Sequence, residues 1–135
     1  MQINNAVVND WPCLVFRSQK YDMTFDAALN DAYAFVFYPD NIEMHRFNKG
    51  VRTQFYGPVP GVTTIFGESL KTEAFKFGKK NKIKLTTRNE DGGVRIILNI
   101  NGEEVINVLD NYEGAITAPG YIGTVSPNSP VILGE

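Results

Sequence analysis

Apolar and polar positions are most informative over residues 94–100 and 103–108, two β-rich runs separated by Asn101-Gly102. Asn-Gly suits a two-residue type I′ turn, in which both central residues take positive φ. A hairpin built on that turn pairs Leu98 with Val105 and Ile97 with Ile106. Apolar pairs then lie on both of its faces, which predicts a place inside a layered β structure. Residues 33–38 are a second continuous aromatic and β-branched run, stopped by Pro39-Asp40-Asn41, with 42–47 as its partner. In the first run Tyr33, Phe35 and Phe37 share one face, and Ala34, Val36 and Tyr38 the other. In the second, Ile42, Met44 and Arg46 oppose Glu43, His45 and Phe47.

Shorter runs predict strands at 6–8, 13–17, 51–56, 62–66, 74–77, 83–87 and 121–125, with a brief apolar 131–133 near the end. Gly57-Pro58-Val59-Pro60-Gly61 reads as a loop, and 89–93 as the turn before the Asn-Gly hairpin. Residues 21–31 are the one candidate for a helical turn, with Phe25, Ala28 and Leu29 at helical spacing. Regular short strands with turn signals between them predict a single all-β domain over 1–135, an antiparallel sandwich or a closed sheet.

Composition sharpens that picture at three points. Nine Phe, six Tyr and one Trp beside twelve Gly and seven Pro fit strands with punctuated turns better than helices. A net charge of −2 argues against a nucleic-acid partner, because phosphate binding needs a basic field. The one basic cluster, Lys76, Lys79, Lys80, Lys82 and Lys84, reads as a solvated turn and the outer face of a strand. A lone Cys13 within an apolar run reads as a buried, inert thiol and provides no disulfide. No apolar stretch approaches the length of a membrane helix, so membrane insertion is not expected.

Several segments, taken in order, resemble the concanavalin A-like, laminin-G-like jelly rolls found as carbohydrate-binding modules in bacterial secreted enzymes. They are Trp11-Pro12-Cys13-Leu14-Val15-Phe16-Arg17, Tyr33-Ala34-Phe35-Val36-Phe37 and Ile42-Glu43-Met44-His45-Arg46-Phe47. Asn81-Lys82-Ile83-Lys84-Leu85, the hairpin with its Asn101-Gly102 turn, and Gly120-Tyr121-Ile122-Gly123 complete the set. The resemblance implies an antiparallel β-sandwich of jelly-roll type, placed outside the cell or on its surface. It implies an oligo- or polysaccharide partner, held on a concave sheet face or in edge loops. Members usually carry one more strand at each end. The resemblance therefore implies missing terminal strands, whose partners a homodimer or a neighbouring domain of a longer chain would cover.

Sugar recognition calls for flat aromatic faces and for planar polar groups that bridge neighbouring hydroxyls. Arg17, Tyr33, Glu43 and His45 meet this need on neighbouring predicted strands, and Tyr33 and His45 are expected to share a sheet face. Tyr56 and Tyr112 border glycine-bearing loops and suit an edge site. Each has an ordinary alternative: Arg17 and Glu43 as an ion pair between strands, His45 as a solvent-facing strand residue, Tyr33 as core. Trp11 is read as a core plug. The groups Asp26, Asn30, Asp31 and Asn89, Glu90, Asp91 offer oxygen ligands for a structural calcium ion, yet turn-forming roles explain both. No other cofactor is expected.

Catalysis lacks a motif. Glu103 and Glu104 are adjacent, so on a strand they point to opposite faces and cannot flank one glycosidic bond. No Gly-x-Ser-x-Gly elbow is present. A non-catalytic carbohydrate-binding module is the leading expectation. A protein-interaction or adhesion module on the same fold is the alternative, and a small glycan-active hydrolase comes third.

Overall fold

A computed structural model describes residues 2–3, 13–21, 29–39, 41–54, 70–71, 73–76, 79–125 and 131–132. The described residues are all-β and contain no helix. The strands, in chain order, are β1 (Gln2–Ile3), β2 (Cys13–Ser18), β3 (Ala32–Phe37), β4 (Asn41–Asn48), β5 (Val51–Gln54) and β6 (Leu70–Lys71). They continue with β7 (Ile83–Glu90), β8 (Gly93–Ile100), β9 (Glu103–Asp110), β10 (Tyr121–Val125) and β11 (Val131–Ile132). Every pairing is antiparallel. The larger sheet runs β10-β2-β3-β4-β5, with β6 also on β4; the smaller runs β7-β8-β9; β1 and β11 form a separate pair.

Three hairpins share one turn chemistry. Lys49-Gly50, Asp91-Gly92 and Asn101-Gly102 each place both central residues at positive φ, between 50° and 86°. That is the type I′ geometry, whose twist matches the strands it joins. The turn expected over 89–93 is thus shorter than the polar run suggests, and β7 continues through Asn89 to Glu90. Residues 74–76 are irregular rather than the expected strand. The expected strands at 6–8 and 62–66, the loop at 57–61, Trp11 and most of the helical candidate lie outside the described residues.

The Asn-Gly hairpin has its predicted turn but not its predicted register. Ile100 pairs with Glu103 and Asn99 with Glu104, but Leu98 then pairs with Ile106 and Ile97 with Asn107. Val105 is the extra residue of a β-bulge. By slipping one position the bulge brings Ile106 and Val108 onto the face of Leu98 and Ile96, where all four are buried. A bulge-free ladder would turn Ile106 and Val108 outward. The hairpin consequently has one buried face, not two.

The sheet that is apolar on both faces is the larger one. Its inner face, with Leu14, Phe16, Tyr33, Phe35, Phe37, Ile42 and Met44, shares a core with Val94, Ile96, Leu98, Ile100, Ile106 and Val108 of the smaller sheet. Phe16 stacks on Tyr33 and Phe35 at centroid separations of 5.3 and 5.2 Å, and Phe37 stacks on Phe75 at 4.8 Å. Each such buried side chain contributes about 1.5–3 kcal/mol by leaving water. The outer face carries a second apolar cluster of Cys13, Val15, Leu29, Ala32, Ala34, Val36 and Val125. That double burial is why residues 32–37 read as an unbroken apolar run instead of an alternation.

Candidate functional site

The chemistry on the outer face of the larger sheet is set by parity. Two residues separate Tyr38 from Asn41, whose main chains are joined by a Tyr38 N–H to Asn41 C=O hydrogen bond of 2.8 Å. An even-length connection pairs odd-numbered residues of β3 with even-numbered residues of β4. Tyr33 therefore lies opposite Arg46, and Ala34 opposite His45. Tyr33 and His45 sit on opposite faces of the sheet, which corrects the expectation that they share one. The Lys49-Gly50 turn applies the same rule to the next strand and sets Arg52 beside Phe47. Glu43, His45, Phe47 and Arg52 thus share the outer face.

On that face is a pocket of about 240 Å³, lined among the described residues by Cys13, Leu29, Ala34, Val36, Tyr38, His45, Phe47 and Arg52. His45 is 3% exposed in its side chain, and its Nε2 lies 2.9 Å from Glu43 Oε2. An ionised carboxylate only accepts, so Nε2 carries the hydrogen and Nδ1 presents a lone pair. Nδ1 is buried and has no hydrogen-bond partner among the described residues. Burial holds the His45 pKa below 6.5, against the upward pull of Glu43 and aided by the charge of Arg52. The imidazole is therefore neutral at pH 7, and the reading of His45 as solvent-facing is overturned. Burial, then Glu43, raises the Tyr38 phenol, and burial pushes the Cys13 thiol up to about 12. Cys13 is an un-ionised wall residue, as its apolar surroundings suggested.

A pH prediction follows from His45. The unfolded chain binds a proton at His45 near pH 6.5, and the folded chain binds it only at lower pH. Protonation therefore favours the unfolded state, so the His45 contribution is constant above pH 7 and falls as the pH drops below 6.5. Urea midpoints at pH 7 and pH 5 should differ more in the native chain than in His45→Gln. Equal acid sensitivity of the two would mean that His45 is not the group responsible. Acid loss nearer pH 2–4 belongs instead to Glu90, held down to about 2 by hydrogen bonds from Arg95 and Arg88.

The other expected site residues are elsewhere. Tyr33 is in the shared core, where its hydroxyl donates to Asp110 Oδ2 at 2.6 Å and accepts from the Ile116 N–H at 3.1 Å. Arg46 Nη1 donates to both Asp110 oxygens at 2.8 and 2.7 Å, and its Nη2 to the Glu113 carbonyl at 2.8 Å. Arg17 sits in a bulge opposite Ile122 with φ of 50°. Its guanidinium reaches across to the smaller sheet, donating to Asn89 Oδ1 at 2.6 Å and to the Ile116 carbonyl at 3.0 Å. Arg17 and Glu43 do not form the ion pair considered for them. Tyr112 is half exposed in the segment after β9, and Tyr56 lies outside the described residues.

Of the polar groups considered for calcium, Asp26 lies outside the described residues, and several of the others have partners. Asn89 holds Arg17, Glu90 holds Arg88 and Arg95, and Asp31 accepts the Lys49 N–H at 3.0 Å. Of the expected residues that are described, His45 lines the pocket, and Glu43 is joined to its imidazole by a hydrogen bond. Tyr38, Phe47 and Arg52 join them unforeseen, although the parity of two short turns would have revealed all three. Compared with protein-family models, curated proteins and solved structures, the chain matches none of them.

Proposed function

We propose that the chain is a non-catalytic carbohydrate-binding module, on an antiparallel sandwich of the concanavalin-like jelly-roll type, working outside the cell or on its surface. The reading places a sugar ring in the pocket on the outer face of the larger sheet. One observation carries it: the pocket is lined by a buried, neutral imidazole whose Nδ1 has no partner among the described residues, together with two aromatic rings and a guanidinium. Tyr38 and Phe47 provide faces for C–H stacking. His45 Nδ1 accepts from a ring hydroxyl, and Glu43 fixes the tautomer that makes this possible. A volume of about 240 Å³ is below the roughly 300–1,000 Å³ typical of drug-sized sites and suits one ring of a longer chain.

The test is a ¹⁵N-detected titration with a panel of monosaccharides and short glycans at millimolar concentration. A binding sugar should shift the amides of β3 and β4 around Ala34 and His45. His45→Ala should weaken that binding about tenfold, the worth of one hydrogen bond to a buried acceptor. If no glycan shifts those amides, the reading fails.

A second reading has its own support. Tyr21 and Tyr121 meet edge-on at 5.2 Å beside Ile122, which is 64% exposed, on the end strand of the larger sheet. Apolar side chains on a sheet edge suit assembly with another chain. Sedimentation showing a stable dimer, together with a blank glycan titration, would favour this interaction module.

A further inference from the structure

We infer that the ring held in this pocket bears a carboxylate, as a uronic acid does, with the carboxylate on Arg52 and a ring hydroxyl on His45 Nδ1. The inference rests on the sugar-binding reading and names the class of sugar. Arg52 is exposed, stands beside Phe47 in the ladder, and lines the pocket with His45. Among the described residues its guanidinium has no hydrogen-bond or ion-pair partner. The other arginines differ: Arg17, Arg46, Arg88 and Arg95 are each held by side chains of their own fold. The neighbouring carboxylate, Glu43, is engaged by the His45 Nε2–H instead.

An unengaged guanidinium in a partly enclosed site matches a carboxylate in charge and in planar two-pronged shape. Its field reaches the imidazole, since it is among the influences that keep His45 neutral. Glu43 then limits what else fits. It disfavours a dianion such as a phosphate monoester by like-charge repulsion, while still accepting from a hydroxyl. A six-membered ring with one carboxylate and several hydroxyls meets both Arg52 and His45, in a pocket that Tyr38 and Phe47 also line. The ligand's acid group points to Arg52 and its hydroxyl edge to His45.

The experiment compares glucuronate with glucose, and galacturonate with galactose, at fixed ionic strength by calorimetry and ¹⁵N-detected titration. One uronate should bind at least tenfold tighter than its neutral partner. Arg52→Gln should erase that preference by bringing the uronate down to the affinity of its neutral partner, and Arg52→Lys should restore only part of it. Position 52 is exposed, so these variants keep the fold, which the β3 and β4 amide shifts verify. If the neutral sugar binds as tightly as the uronate, or Arg52→Gln leaves the preference intact, the carboxylate inference is wrong and the sugar-binding reading survives. If neither uronates nor neutral sugars move the pocket amides, both fail together.

Discussion

Asp110→Ala lowers the free energy of unfolding by about 3–5 kcal/mol, the usual cost of removing one partner from a buried ion pair. Asp110 ends β9 with its side chain fully buried, and Arg46 opposite is 7% exposed. Three donors converge on this carboxylate: Arg46 Nη1, which meets both oxygens at 2.8 and 2.7 Å, the Tyr33 hydroxyl at 2.6 Å and the Tyr112 N–H at 3.3 Å. Removing it leaves the buried Arg46 guanidinium without the Asp110 countercharge, among neutral acceptors that include the Glu113 carbonyl and Asn48 Oδ1. The loss comes mainly from that stranded charge, so it should be largely recovered by removing the charge as well. Arg46→Met combined with Asp110→Leu should therefore be closer to native stability than Asp110→Ala alone. Tyr33→Phe should cost only about 1 kcal/mol and be strongly non-additive with Asp110→Ala. Urea denaturation of the four variants decides the matter. A loss under about 1 kcal/mol for Asp110→Ala would mean that water reaches the pair and that it is not a buried cross-link.

This network also shows why grouping Tyr33 and Arg17 into the site fails, while the ordinary alternative for Tyr33, core packing, holds. Both join Glu43 and His45 in that grouping because polar residues alternate with apolar ones on neighbouring strands. Alternation tells which residues of one strand share a face; it does not tell which face of the next strand joins them. That second fact lies in the length of the connections, one residue of which exchanges every side chain between the two faces. With two residues between Tyr38 and Asn41, Tyr33 goes inward with Arg46 and leaves His45 outside. Arg17 was hidden for a different reason. The bulge at Phe16 and Arg17 turns a side chain expected on a plain ladder toward Asn89, and a one-residue bulge has no composition of its own to read.

The parts that were legible rest on local rules. The Asn-Gly turn, the face-by-face pattern of 33–38 and 42–47, and the all-β class follow from turn chemistry and strand periodicity, which act over a few residues. The core register of β8 and β9 required the smaller sheet to satisfy the larger one, and Val105 was displaced into a bulge to do it. Such a compromise is a property of packing between layers. His45 illustrates the same limit: its burial comes from neighbours in space, and the sequence offers it a solvent-facing place beside the binding one.

Gly93→Ala should destabilise the chain by about 3 kcal/mol, more than Gly92→Ala, although Gly92 is the glycine with positive φ. Gly92 takes φ of 78° in its turn, and a Cβ there meets nothing within 4 Å. Its replacement costs only the left-handed conformation, about 1–2 kcal/mol. Gly93 has no such backbone demand. A Cβ on it would overlap the Asp110 carbonyl oxygen and come within 2.8 Å of Asn111 Cα and 2.9 Å of the Asp110 carbonyl carbon. These are main-chain atoms and cannot swing aside, so the end of β9 must move. Overpacking of this kind costs about 1–3 kcal/mol, and here the moving backbone carries the carboxylate that Arg46 and Tyr33 share. The two effects should therefore overlap: Gly93→Ala in an Asp110→Ala background should cost less than in the native chain. Thermal and urea unfolding of the single and double variants measure both quantities. If Gly92→Ala proves the more damaging, turn conformation outweighs the close approach of β8 to the end of β9. If the two losses simply add, Gly93 does not act through Asp110, and its role is confined to the ladder.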